Sequence, residues 1–165
     1  MSSGVADAWV GTKVRLRRGS GPTPHLALIA GSSVPTHTAL SNQRAESELN
    51  LAAMWDLPRG QGVVAFTGLA SRWAADRFVS ERLSGATWAF PVGSLASFVE
   101  YSEFARPGAV NRFVATGLQF FPRATVQLDA SVIMPVPRAG SDASFGFAFS
   151  RRWYPTRNPR PCSVK

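Results

Sequence analysis

Few side chains in this sequence are suited to covalent chemistry. There are two histidines, ten carboxylates and one cysteine. His25 and His37 are separated by an expected strand, and neither stands at a spacing that pairs metal ligands or sets a base beside a nucleophile. Thr36-His37-Thr38, with Ser41 close by, lies in a polar stretch and reads as loop. Cys162, within the last four residues, has no second cysteine for an internal disulfide and no companions for a metal site. GSGPTP at 19–24 lacks the lysine and the following helix of a phosphate loop. No catalytic residue, metal site or cofactor is expected.

The polar groups instead recur at every second position. Residues 125–134 read TVQLDASVIM, in which Thr125, Gln127, Asp129 and Ser131 alternate with Val126, Leu128, Ala130 and Val132. Such alternation makes a strand with two unlike faces. A soluble sandwich turns the apolar face inward; a membrane barrel turns it out to lipid. The same pattern places Lys13, Arg15, Glu48, Asn50, Asp56, Glu100, Asn111, Gln119, Gln127 and Asp129 on the polar sides of their strands. If the chain forms a membrane barrel, these ten are the candidate lining of its interior, where a carboxylate can pair with arginine or water.

Composition allows either setting. The 165 residues suffice for one domain, with 45% hydrophobic and 17% charged residues, which excludes a disordered chain. Net charge is +8, but the arginines are dispersed and no zinc-finger, helix-turn-helix or RNP-type motif occurs, so a nucleic-acid partner is not expected. No apolar run approaches the roughly 18 residues of a spanning helix. The first residues, MSSGVADAWVG, carry no basic region followed by an apolar one, so no signal peptide is read in them.

Turn signals at short intervals divide the chain into roughly nine strands of about 10 residues, an all-β, antiparallel up-and-down barrel of membrane type spanning 4–153, with a polar tail at 154–165. Expected strands cover 6–16, 25–34, 48–57, 63–73, 95–104, 110–120, 125–134 and 143–150. Residues 35–46 read as a long loop. Residues 74–84, AADRFVSERLS, favour helix by composition and are assigned to a loop entering a strand that ends at WAFPVG. Pro91 to Ser94 and Pro122 to Ala124 are read as turns. Of Trp9, Trp55, Trp73, Trp88, Trp153, Tyr101 and Tyr154, several fall near strand ends or loop borders, as an aromatic girdle requires.

The later half of the chain resembles the bacterial outer-membrane transporter family associated with the MetA pathway of phenol degradation. Phe98, Glu100 and Tyr101 match that family's aromatic-x-Glu-Tyr strand, Val126 to Val132 match its Leu-Gln-Leu-Asp-Ala-Ser-Val-like strand, and the Gly- and Phe-rich 143–150 matches its terminal strand. GVADAWVGTKVRL is similar to the family's Gly-Asp element, with Asp7, Gly11, Lys13 and Arg15 in place, and HLALIAGSSVPT to the strand after it. The family carries a signal peptide and further strands before the Gly-Asp element and ends on an aromatic residue, whereas here YPTRNPRPCSVK follows Trp153. The resemblance therefore implies an incomplete barrel lacking N-terminal strands, located in the bacterial outer membrane. It further implies outer-membrane lipid and the barrel-assembly machinery as partners, and passive passage of a small aromatic or hydrophobic solute. Two alternatives stay open. A soluble or periplasmic barrel of lipocalin type would hold Leu49, Leu51, Val126, Leu128, Phe145 and Phe147 inside, and a rim-active membrane hydrolase would use His37 and Ser41.

Overall fold

The computed structural model describes residues 6–39, 41–74, 76–136 and 143–151. Nine strands follow one another: β1 (Ala8–Arg17), β2 (His25–Val34), β3 (Ser47–Asp56), β4 (Gly62–Ala74), β5 (Arg77–Val92), β6 (Leu95–Arg106), β7 (Ala109–Arg123), β8 (Val126–Val136) and β9 (Ser144–Arg151). Each pairs antiparallel with the next, so spatial order equals chain order in one sheet. The sheet curls into a half barrel, with β1 and β9 as its edges. Because neighbours alternate in direction, the two edges run the same way. A single turn of 3-10 helix at Pro58–Gly60 joins β3 to β4, and no helix among the described residues is long and apolar enough to cross a membrane.

Period-2 reading locates most of these strands. β2 has the expected bounds, and β3, β4 and β6 differ from expectation by one or two residues at an end. Residues 74–84 are the main correction. The expected loop is a tight turn at Asp76, in the left-handed region with φ +60, and β5 begins at Arg77 and runs for 16 residues. Val79, Glu81 and Leu83 alternate there with Phe78, Ser80 and Arg82, and the ladder to β4 is unbroken from Ala74↔Arg77 to Gly62↔Ala89. Helix preference amounts to tenths of a kcal/mol per residue (~0.5). It loses to a neighbour strand that satisfies the backbone of every residue. Likewise Pro122 and Arg123, expected in a turn, extend β7 past an irregularity between Phe120 and Arg123, and Pro91 pairs with Ala96 inside the β5–β6 ladder. The expected tail, with Trp153 and Tyr154, lies outside the described residues.

Burial separates the two faces. Ala27, Glu46, Ala70, Leu83, Ser102 and Ala115 are buried, and all share one face; Ser97, buried on the other, donates to the carbonyl of Gly117 at 3.0 Å. On the opposite face Leu49, Leu69, Leu128 and Phe147 are 50%, 61%, 43% and 86% exposed. Side chains converge on the concave side of a curled sheet and splay on the convex side. The face bearing Glu46 and Leu83 is therefore the concave one.

Glycines opposite aromatic rings help the sheet to curl. Phe66 faces Gly85 and Phe98 faces Gly117 across their ladders, and the Trp9 ring lies over both Gly11 and Gly31. Each ring occupies the space a side chain would take, an arrangement that covers an otherwise bare strand position. Trp9 thereby departs from the girdle expected of it, since it faces the concave side. A Cβ at Gly85 would stand 2.5 Å from the Tyr101 carbonyl oxygen and 2.6 Å from the Phe66 ring. Gly85→Val is expected to destabilise the sheet by about 1–3 kcal/mol, measured by urea unfolding followed through tryptophan fluorescence, whereas Gly21→Ala, where open space surrounds the Cβ, has only its positive φ to overcome.

Candidate functional site

Strand register carries every one of the ten candidate residues to the concave face. Lys13 pairs with Ile29, Ile29 with Asn50, and Asn50 with Gly68. Arg15 lies opposite Ala27 and Glu48 opposite Gly31, while Asp56 closes the β3–β4 ladder against Gly62. Glu100 stands between Thr87 and Ala115, and Asn111 opposite Phe104. Gln119 pairs with Asp129, and Gln127 is two residues along the same face of β8.

Within that face the residues gather into separate groups. Arg72 is the centre of the largest. Its Nη2 donates to Glu48 Oε2 at 2.9 Å, Nη1 to Glu46 Oε2 at 3.5 Å, and Nε to Glu81 Oε1 at 3.5 Å. The other Glu46 oxygen accepts the backbone N–H of Trp73 at 2.9 Å, and Asn50 Nδ2 reaches Glu48 Oε1 at 3.4 Å. These carboxylate side chains are 10%, 19% and 12% exposed for Glu46, Glu48 and Glu81, so water screens them little. One guanidinium facing three carboxylates leaves the group net negative.

Near the other end of the strands Gln127 Nε2 donates to Asp129 Oδ1 at 2.8 Å. Midway, the Thr87 hydroxyl donates to Glu100 Oε2 at 2.8 Å. His25 Nδ1 accepts the Gly19 N–H at 3.1 Å, which puts the ring proton on Nε2, 2.9 Å from Asp56 Oδ2. That pair ties the β1–β2 turn to the end of β3. Lys13 and Arg15 stand exposed on edge strand β1, apart from these groups.

Arg72, Glu46 and Glu81 are absent from the sequence-based candidates. Glu46 lies in the stretch read as loop and Glu81 in the segment whose strand was not recognised. Extending the period-2 pattern back through 77–84 puts Glu81 on the side of Thr87, and β4 then places Arg72 between Glu46 and Glu81.

The loop at 35–46 is fastened to the start of β1. Asp7 accepts the N–H of Thr36 and of Asn42, each at 3.1 Å. A hydrogen bond from the Ser41 hydroxyl, with those two amides, holds the Asp7 carboxyl below the ordinary aspartate value against partial desolvation. His37 Nδ1 stands 3.2 Å from Gln43 Oε1, and Ser41 Oγ accepts the Gln43 N–H at 3.0 Å. Among the described residues no group of three or more His, Cys, Asp or Glu is placed to hold a metal ion.

Comparison with known protein families, with curated proteins and with solved structures finds no match. The chemistry open to this face is accordingly read from its own groups: charge pairs and amides lining a concave wall.

Arg72→Ala strands three poorly hydrated carboxylates together and is expected to lower stability by about 3 kcal/mol. Glu81→Gln relieves repulsion while keeping the other two pairs and is expected to change it by under ~1 kcal/mol. Paired urea titrations check both. A depressed folded-state pKa makes the Asp7 contribution complete above the unfolded value of 3.8 and lost as pH falls through the lower folded value. The amide proton shifts of Thr36 and Asn42 are therefore expected to titrate together below pH 3.8 and to be flat in Asp7→Asn.

Proposed function

We propose that this chain forms part of a bacterial outer-membrane β-barrel through which a small solute passes, with the convex face against lipid and the concave face lining the passage. One observation carries the reading: most of the large exposed apolar side chains lie on the convex face, while the Arg72–Glu46–Glu48–Glu81 group and the ten polar candidates lie on the concave one. Leu49, Leu51, Leu128, Phe145 and Phe147 are all on the convex side with exposures of 43% to 86%, and Val126 shares that side. A water-soluble ligand-binding barrel needs the same residues inside. A soluble monomer rarely exposes contiguous apolar surface beyond a few hundred Å² (~300–600), and here it extends across the sheet.

Other features agree. Strands β1 to β8, of 10 to 16 residues, are long enough for a tilted crossing, which takes about 9–11. Aromatic residues mark both ends of the convex face: Trp55, Trp88, Phe90 and Phe120 at one, Trp73 and Phe78 at the other, as interfacial belts do. Trp88 packs against Phe90 with ring centroids 4.6 Å apart, and its Nε1 donates to Gln61 Oε1 at 3.1 Å, while Trp55 Nε1 donates to the Pro22 carbonyl at 3.2 Å. These rings keep an apolar body on the sheet and a polar atom at the rim.

A bilayer tolerates no unpaired strand edge. Since β1 and β9 run the same way, an all-antiparallel closure takes an odd number of further strands between them. The outer-membrane transporter family of the MetA phenol-degradation pathway, which the sequence resembles, suggests an aromatic or hydrophobic solute.

Extraction of the protein from its native cells tests the proposal. The expected result is a species that requires detergent, is heavier than 17.8 kDa by the strands that close the sheet, and speeds efflux of small neutral aromatics from liposomes. A species of that mass which is monodisperse in buffer without detergent overturns it.

A further inference from the structure

One cluster of ionised groups interrupts the apolar convex face. Arg112 Nε donates to Glu103 Oε2 at 2.9 Å, and Arg82 Nη2 stands 3.6 Å from Glu103 Oε1. Tyr101 Oη reaches the same carboxylate at 3.4 Å. Two guanidiniums share one carboxylate, so the cluster is net positive. The Glu103 side chain is only 19% exposed, whereas Arg82 and Arg112 are 64% and 48% exposed. The carboxylate sits low between the arginines, and the guanidiniums stand out from the sheet.

Hydroxyl groups continue this band across the neighbouring strands. Ser32 lies opposite Ser47, Ser47 opposite Ser71, and Ser71 opposite Ser80. Arg82 follows Ser80 on the same side of β5 and faces Leu69 across the ladder. A shallow groove of about 450 Å³, lined by Leu49, Leu69 and Phe78 together with Ser47, Ser71 and Ser80, opens beside it. The depth of the band is fixed by the ladder. Glu103↔Arg112 is the fourth pair from the turn at 107–108, about 10 Å along the strand at roughly 3.3 Å per residue. With a tilt near 45° that is roughly 7 Å in from the turn. Trp73 and Phe78, edge to face at 5.0 Å, mark the same rim.

We propose that this band is a binding site for an anionic, phosphate-bearing membrane lipid. The phosphate sits on the outward edges of Arg82 and Arg112, headgroup hydroxyls lie along Ser47, Ser71 and Ser80, and an acyl chain runs over Leu49 and Leu69. The inference rests on the reading that the convex face meets lipid. Its own basis is charge: Glu103 neutralises one of the two arginines, and a positive charge at the edge of a hydrocarbon layer draws an anion with paired oxygen acceptors.

Native mass spectrometry of the full chain in non-ionic detergent micelles, with phosphatidylglycerol or phosphatidylcholine added, tests this. Wild type is expected to retain phosphatidylglycerol preferentially, and Arg82→Gln/Arg112→Gln to lose that preference by about ten-fold or more. Lys13→Gln/Arg15→Gln, the same charge loss on the concave face, is expected to keep it. Should the first double variant fail to fold, Glu103→Gln carries the test: freeing both guanidiniums is expected to raise phosphatidylglycerol retention. Equal retention of the two lipids by wild type, unchanged retention in both convex-face variants, or equal loss in the concave-face variant overturns the proposal. A chain that needs detergent yet shows no lipid preference defeats this inference alone, whereas a chain soluble in buffer defeats the membrane reading with it.

Discussion

In an antiparallel ladder each residue fixes the face of the residue opposite it, and eight ladders in series carry that phase from β1 to β9. A slip of one residue anywhere would turn every later strand over. The two irregularities, between Arg15 and Arg17 and between Phe120 and Arg123, both lie near strand ends, where they leave the phase of the strand bodies intact. Because the phase holds, Lys13 on the first strand and Asp129 on the eighth share one face.

That common face sets the energetics on both sides. On the concave side the curl brings side chains together, so Glu46, Glu48 and Glu81 lose water and need Arg72 among them. Glycines under Trp9, Phe66 and Phe98 let the wall bend without leaving gaps. On the convex side the same curvature spreads Leu, Val and Phe apart, leaving an apolar surface that no element of the sheet covers. Water is a poor medium for that surface, and lipid a good one. Where charges do occur on it, as at Arg82, Glu103 and Arg112, they pair with one another, with Glu103 on the fourth rung from the turn at 107–108.

Particular residues show how far the sequence could be read. The alternation in TVQLDASVIM was legible because each of its polar groups has the same period as the pleat. Arg72 was not, since a lone arginine in ASRWAA announces nothing until β3 and β5 flank it. Glu81 was hidden by neighbours with helical preference, whereas alternation alone already set Trp9 on the face of Lys13 and Arg15. In the sequence the convex-face ionic cluster shows only as Arg112 standing in the row Val110, Val114 and Leu118. The partner of Arg112, Glu103, lies 9 residues away in the chain, and Arg82, which Glu103 also pairs with, lies 30 away.

The amino-acid sequence by itself determined the period of the strands, the sorting of polar from apolar side chains and the all-β class, because these depend on each residue and its near neighbours. Tertiary structure alone decided that residues 77–84 are strand, that the polar rows coincide on one concave wall, and that Arg72 meets three carboxylates there. Those outcomes depend on cross-strand register and curvature, which arise only when residues distant in sequence share hydrogen bonds.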